Sequence, residues 1–171
     1  MTINEMIKKR RSIRKFKPDA VVTDEQLKTL LEAAMLAPSA CNMRPWEFIA
    51  VQNREVLDEI RRVHPFAGML NTASAAIIVL AKTDVFNDVS EGFFPQDCGA
   101  ATQNILLQAA ELGLGTCWCG VYPKPEKVAA MAKLLELPEN LVPFNVIAIG
   151  VPDEADGSRG HYEEEKIRWI R

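Results

Sequence analysis

Residues 75–81 (AAIIVLA) form an apolar run that contains no polar side chain and no alternation. Such a run is typical of a β-strand covered on both faces, because a sheet face open to water carries polar side chains at every second position. Both faces of this predicted strand must therefore be buried. The 171 residues, 48% of them hydrophobic, are enough for one compact domain with a buried core.

Hydrophobic periodicity and capping signals predict the remaining elements. The predicted helix after residue 95 is apolar around most of its circumference, so we expect it at the centre of the molecule or between subunits. The polar tail ends in an apolar group and is expected to dock. Helices are predicted over residues 3–10, 24–37, 54–63, 96–112 and 125–135, strands over 47–52, 75–81, 116–122 and 144–150, and the docking tail over 152–171.

Charge and ligand-forming residues exclude several classes of protein. The net charge of -3 shows no general bias toward nucleic acid or a membrane surface, and two histidines with four cysteines form no four-ligand zinc pattern. We find no apolar signal-peptide core, and no apolar run approaches the roughly 20 residues that span a bilayer. We therefore expect a cytoplasmic protein with free thiols, no metal, no membrane contact and no nucleic-acid partner.

The basic side chains are concentrated near the N-terminus, where residues 1–17 carry seven Lys and Arg against one Glu. In an extended RRSIRKF segment, Arg10, Ser12 and Arg14 share one face, and forked guanidinium donors with a hydroxyl can surround a phosphate. Two other interpretations stay open. One is a solvated basic face beside a helix C-terminus, and the other is a nucleic-acid patch, for which only Phe16 supplies an aromatic ring.

A second segment, APSACNMRPW (residues 37–46), combines small side chains with two prolines. Such a loop lets the backbone approach a flat ligand, and Ser39 and Asn42 supply hydrogen-bond donors and acceptors. Alone, it is also compatible with an ordinary helix-to-strand connection. Cys41 is a candidate nucleophile, but no histidine lies near it in the sequence, so a catalytic role for it is a minority interpretation.

The third segment is the predicted strand TCWCGVY (residues 116–122) with the glycines before it. The GLGT sequence (residues 113–116) imitates a dinucleotide-binding motif but precedes a strand rather than a helix, so we reject that interpretation. Cys117 and Cys119 fall on one side of the strand, where disulfide geometry is poor, and are expected to be core thiols. Gly120 inside a strand pattern indicates close approach by a ligand.

In this order and at these spacings, RRSIRKF, APSACNMRPWEF and the helix running into GLGTCWCG resemble the FMN-dependent nitroreductase family. The resemblance covers nearly the whole chain. It implies one FMN-binding domain over residues 1–171 with an α+β fold, a three-layer sandwich in which helices flank a mixed, mainly antiparallel sheet. It also implies an intertwined homodimer with two FMN sites at the interface.

Residue by residue, the resemblance implies a cofactor site shared by two subunits. Arg10, Arg11, Ser12 and Arg14 would hold the phosphate, the ribityl chain and the pyrimidine edge, and the Arg14 cation would stabilise the anionic reduced ring. The residues that would line the flavin from the other subunit are Pro38, Ser39, Ala40 and Asn42. The segment that would reach the flavin N5 edge consists of Trp118, Cys119 and Gly120. Arg159 matches a phosphate-binding arginine near the C-terminus of the family.

The activity implied by the resemblance is an NAD(P)H-dependent oxidoreductase. Hydride would pass from nicotinamide to the flavin N5 and on to an oxidised small-molecule acceptor such as a nitroaromatic or a quinone, with no dedicated catalytic side chain. Two alternatives stay open. One is a flavin- or anion-binding module without turnover, and the other is specialised flavin chemistry within the same family.

Departures from the family pattern affect the phosphate site and the pocket. Arg44 stands where many relatives have Gln, and Gly157 stands where some have Lys, so phosphate binding is expected to be weaker or differently shared. Only residues 85–95 separate the second predicted strand from the long helix, where larger members insert covering helices. We therefore expect an open pocket, with Phe93 or Phe94 as partial cover.

Overall fold

The computed structural model describes residues 2–154, 160 and 162–171. Within them, helices and strands alternate irregularly along the chain, and short 3-10 turns occur at Ala40–Asn42, Gly68–Asn71, Thr83–Val85 and Glu164–Lys166. The elements are, in order, α1 (Ile3–Lys9), α2 (Asp24–Met35), β1 (Trp46–Val51), α3 (Arg54–Val63), β2 (Ala75–Lys82), α4 (Phe94–Glu111), β3 (Gly115–Gly120), α5 (Pro125–Leu134) and β4 (Leu141–Gly150).

The four strands form one sheet in the order β1-β2-β4-β3, and every neighbouring pair is antiparallel. A mixed sheet was expected. In the part of the chain that the structure describes, the parallel pairing consists of a single bridge between Ser12 and Thr116 at the outer edge of β3. The two strands at the centre, β2 and β4, are the most deeply buried, and β3 is left with one open edge.

Helices cover the sheet on both faces, so the molecule has three layers and the α+β prediction is confirmed. Side chains at odd positions of β2, such as Ile77, pack with α2 and α4, whereas those at even positions, such as Ile78, pack with α3 and α5. This alternation between two cores explains why the AAIIVLA run has no polar position.

The predicted elements agree with the structure to within a few residues. The Thr23 and Gln26 capping box opens α2, and Asn53 caps α3. The largest difference is at β4, which begins at Leu141 rather than at residue 144. A register shift between Val79 and Leu80 accommodates Pro143, which has no N–H for a regular ladder.

Across residues 2–154, 160 and 162–171, each helix is too short or too polar to pass through a bilayer.

Candidate functional site

The basic segment at residues 10–17, called here the N-terminal arm, lies along the sheet instead of extending into solvent. Ile13 N–H donates to the Thr116 carbonyl at 2.8 Å, and Lys17 N–H donates to the Val151 carbonyl at 2.9 Å. Ile13 and Phe16 are buried in the core on the α3 and α5 side. The arm is therefore anchored by its apolar residues, which places its basic residues at the edge of β3.

Two glycines make the close approach of the arm possible. Gly115 and Gly150 are register partners at the ends of β3 and β4. A Cβ atom on Gly115 would lie 2.8 Å from Ile13, and one on Gly150 would lie 2.9 Å from Phe16, and both distances are too short for real Cβ contacts. The arm and these two glycines are thus one packing unit, which the sequence pattern did not reveal.

Glu154 also holds the arm, and sequence reasoning missed it. Its Oε1 accepts hydrogen bonds from the backbone N–H of Arg14 at 2.6 Å and from that of Lys15 at 3.4 Å. The hydrogen bond from Arg14 is the main reason why the pKa of the Glu154 carboxyl is lowered. Glu154 lies 140 residues from Arg14, so no local signal could have paired them.

The register of β3 with β4 decides which backbone groups face the open edge. Val121 N–H donates to the Phe144 carbonyl at 3.1 Å, and because antiparallel pairing alternates, Cys119 directs its backbone groups toward Val146 in β4. Trp118 and Gly120 therefore direct theirs outward. Of the three residues assigned above to the flavin N5 edge, Trp118 and Gly120 therefore carry the outward-facing donors, whereas the N–H of Cys119 faces β4.

The open edge has an occupied point at each end. At one end the Thr116 carbonyl accepts from Ile13 of the arm. At the other, the Gly120 carbonyl accepts from His64 Nε2 at 2.9 Å and from Lys127 Nζ at 3.4 Å. Between these two points the edge presents the N–H of Trp118, the carbonyl of Trp118 and the N–H of Gly120, a short row suited to the polar rim of a flat ring.

A cleft beside the arm gathers positive charge. Lys9, Arg10 and Arg11 line it together with Gly113 and Thr116. Forked guanidinium donors in such a cleft fit a phosphate. The same cations lie near the C-terminal end of α4, whose partial negative charge they also compensate, so the solvated-face interpretation has a physical basis here too.

The loop at residues 38–45 has an unusual backbone. Cys41, Asn42 and Arg44 adopt left-handed conformations with φ of 51°, 54° and 49°. Non-glycine residues rarely take such angles, and runs of them persist only where surrounding contacts hold them. Ser39 Oγ accepts from the N–H of Arg44 at 2.9 Å, which closes the loop across its base.

Asp97 anchors the same loop from α4. The residue is 6% exposed, and its Oδ1 accepts from the N–H of Ala40 at 3.0 Å, while Oδ2 is buried and has no partner among the described residues. Sequence reasoning treated Asp97 only as part of a helix. The hydrogen bond to Ala40 shows that Asp97 supports the loop.

The arm and the loop are not brought together within one chain. The loop meets α4 at Asp97, whereas the cleft beside the arm is lined by Leu106 and Ala110. Nine residues of helix correspond to about 13 Å. The two predicted halves of the site therefore lie toward opposite ends of α4, which is compatible with a site that takes the loop from a second subunit.

An aromatic cluster lies on the α2 and α4 face of the sheet, where β3 ends. Phe94 meets Tyr122 edge-on at 4.9 Å between centroids, and Trp118 meets Phe144 edge-on at 5.9 Å. Phe94 is thus held in this cluster, whereas Phe93 is 42% exposed. The residues that join Phe94 are dispersed along the sequence and gave no joint signal.

The cysteines differ sharply in environment. Cys41 is exposed, and the other thiols are buried and free, as expected for core thiols. Burial raises the pKa of Cys98 to about 12, and a hydrogen bond with Cys119 lowers the pKa of Cys117 to about 7. Arg159, assigned above to phosphate binding, lies outside the described residues.

Comparison with known proteins finds a matching family model and similar sequences. The family model described as the nitroreductase family matches residues 7–70 and 62–151. A protein of Methanothermobacter thermautotrophicus named "Putative NADH dehydrogenase/NAD(P)H nitroreductase" is 45% identical over 167 residues, which cover 98% of this chain and 86% of that protein.

Solved structures agree with the sequence matches. An FMN-dependent nitroreductase from Clostridium difficile superimposes with a TM-score of 0.88 at 32% identity and covers 99% of both chains. A "putative nitroreductase in complex with FMN" from Desulfovibrio desulfuricans has a TM-score of 0.85 at 29% identity, covering 100% of this chain and 98% of that one. With the family model, these matches show that the chain belongs to the nitroreductase family.

Proposed function

We propose that this protein is an NAD(P)H-dependent FMN oxidoreductase made of one FMN-binding domain over residues 1–171. The observation that carries the proposal is the edge of β3, where the arm occupies the first half and the amides of Trp118 and Gly120 face outward in the second half. The FMN-dependent relative and the relative in complex with FMN, both similar over nearly the whole chain, support the choice of cofactor.

The described residues fit the parts of FMN. The cationic cleft at Lys9, Arg10 and Arg11 suits the phosphate, and Ser12 lies next to it at the bridge to β3. The outward N–H groups of β3 suit the heteroatoms of the ring edge. In this assignment Pro38, Ser39, Ala40 and Asn42 come from a second copy of the chain.

The protein supplies position and charge to the reaction. Bound FMN would supply the redox chemistry, which is hydride acceptance from nicotinamide and electron delivery to an oxidised acceptor. Arg14 lies beside this edge and is held through its backbone by Glu154, so its exposed guanidinium can stabilise negative charge on the pyrimidine side of the ring. The aromatic cluster around Trp118 and Tyr122 offers apolar ring surfaces against which a quinone or nitroaromatic acceptor can pack.

A homodimer completes this proposal. Exposed apolar side chains occur on α1 at Ile3 and Ile7 and at the end of α2 at Met35 and Leu36. Clustered apolar side chains in water are typical of an interface. A dimer that covers them also allows the loop of one copy to approach the arm of the other.

The visible absorption spectrum tests the proposal. Protein purified without added cofactor, then incubated with FMN and desalted, should retain flavin bands that bleach when NADH or NADPH is added without oxygen. Steady-state consumption of NAD(P)H with a quinone should follow. Retained flavin with no turnover on any acceptor would favour a binding module, for which the cationic cleft alone suffices. Failure to retain flavin would reject the proposal.

A further inference from the structure

Two side chains from different helices converge on one backbone carbonyl at the end of β3. His64 directly follows α3 and places Nε2 at 2.9 Å from the Gly120 oxygen. Lys127, in the first turn of α5, places Nζ at 3.4 Å from the same oxygen. Since a carbonyl oxygen only accepts, the Nε2 atom of His64 carries the proton. The Gly120 carbonyl is thus held by a histidine and a lysine at once.

His64 is a polar residue at a fully buried position. His64 is 1% exposed, and its Nδ1 is buried without a partner in the described part of the chain. A buried, unpaired acceptor costs stability. The hydrogen bond to Gly120 is the contact that a leucine of similar size could not make.

The backbone of Gly120 is a place where restraint by hydrogen bonds matters. Glycine reaches more backbone conformations than any other residue, and an edge strand has a neighbour on one side only. A Cβ atom on Gly120 would meet nothing closer than 4.0 Å among the described residues, so the packing of the chain does not itself explain the glycine. Its N–H faces the open edge, and its carbonyl is the group that His64 and Lys127 hold.

Phe66 links the two donors. Lys127 Nζ lies 4.8 Å from the centroid of the Phe66 ring, and the His64 ring meets the same ring edge-on at 6.5 Å. The cation over the ring face and the edge contact each favour one orientation of the side chain. Lys127 and His64 are therefore restrained relative to each other as well as to Gly120.

We propose that His64 and Lys127 are positioning residues that hold the Gly120 carbonyl and thereby aim the Gly120 N–H at the ring edge of the bound flavin. The inference rests on the proposed function for the identity of the ligand. Its structural core, the restraint of the β3 edge, is independent of any cofactor. Neither residue touches the reacting atoms, so both act through the backbone of Gly120.

Hydrogen exchange in the cofactor-free protein tests the restraint. The variants are His64→Leu, which removes the donor, His64→Gln, which keeps a donor near Nε2, and Lys127→Met, with Lys133→Met on the exposed side of α5 as control. Loss of one hydrogen bond should accelerate exchange of the paired amides of Cys119, Val121 and Tyr122 about tenfold in His64→Leu and about threefold in Lys127→Met. His64→Gln and Lys133→Met should stay near wild type. Unchanged exchange in both His64→Leu and Lys127→Met would overturn the inference.

Measurements on the bound flavin test whether the Gly120 N–H is oriented toward the ring. At saturating FMN, His64→Leu and Lys127→Met should shift the flavin reduction potential and slow reduction by NADH about tenfold and threefold, with His64→Gln restoring most of the rate. A purely structural role would lower the melting temperature of the apoprotein and leave potential and rate unchanged once FMN is saturating, which would contradict positioning. If wild type binds no FMN, the proposed function fails, whereas the exchange result still decides whether His64 and Lys127 hold the edge.

Discussion

Two glycines of β3 differ in what their missing side chains make room for. At Gly115 the space is taken by Ile13 of the arm, whereas at Gly120 nothing in the described chain lies closer than 4.0 Å to the position of a Cβ atom. The first glycine therefore serves folding, and the second leaves room beside the proposed ring. Substitution by alanine separates the two roles.

Gly115→Ala should lower the melting temperature of the apoprotein, since overpacking against Ile13 costs about 1–3 kcal/mol. Gly120→Ala should leave the apoprotein melting temperature near wild type but weaken FMN binding, because its Cβ occupies space at the ring edge. Gly68→Ala, where a Cβ meets nothing within 4 Å, is the matched control. Equal effects of Gly115→Ala and Gly120→Ala on the apoprotein would contradict this division.

Cys98 is expected to make the folded protein less stable at alkaline pH. Burial raises its pKa from the ordinary value of 9.0 to about 12 in the folded protein. The folded thiol stays protonated while the unfolded thiol ionises, so its contribution is present below pH 9 and is lost as pH rises toward 12. Urea unfolding near pH 8 and pH 10 should show wild type losing about 1 kcal/mol more than Cys98→Ala. Equal losses would exclude Cys98 as the cause.

At the scale of elements, α4 organises both halves of the candidate site. Its first turn supplies Asp97 to the loop at residues 38–45, and its last turns contribute Leu106 and Ala110 to the wall of the cationic cleft. Because a helix is stiff, the loop and the arm are held at a constant separation along it. The loop conformation should therefore depend on Asp97.

Asp97→Ala should destabilise the protein by about 1–3 kcal/mol, because the N–H of Ala40 loses its acceptor. Asp97→Asn keeps an acceptor oxygen and should recover most of that loss. Urea unfolding of the apoprotein measures both, and the exposed Asp24→Ala in α2 controls for charge removal. If Asp97→Asn were as unstable as Asp97→Ala, the carboxylate charge rather than the hydrogen bond would matter.

At the scale of the whole molecule, the proposed site needs the arm of one copy and the loop of another. A heterodimer of an Arg14→Ala subunit and an Asn42→Ala subunit should contain one intact site and one site with both changes. It should bind about half as much FMN as wild type at concentrations where either variant homodimer binds little. A heterodimer no better than the homodimers, or an active FMN-replete monomer in sedimentation, would contradict a shared site.

Much of the fold could be predicted because its signals are local. The capping box at Thr23, the cap at Asn53 and the uninterrupted run at residues 75–81 each depend on residues close in sequence. Pro143 shows where local reasoning stops. It argues against a strand, and only the register shift opposite it in β2 shows how β4 includes it.

The sequence by itself determined which segments become helices and strands and which residues carry charge and polar groups, because periodicity, caps and residue chemistry are local properties. Tertiary structure alone decided that Trp118 and Gly120, rather than Cys119, face the open edge, since that depends on the register of β3 with β4. It also paired Arg14 with Glu154 and Gly120 with His64. These contacts join residues far apart in the chain, and only packing of the sheet brings them together.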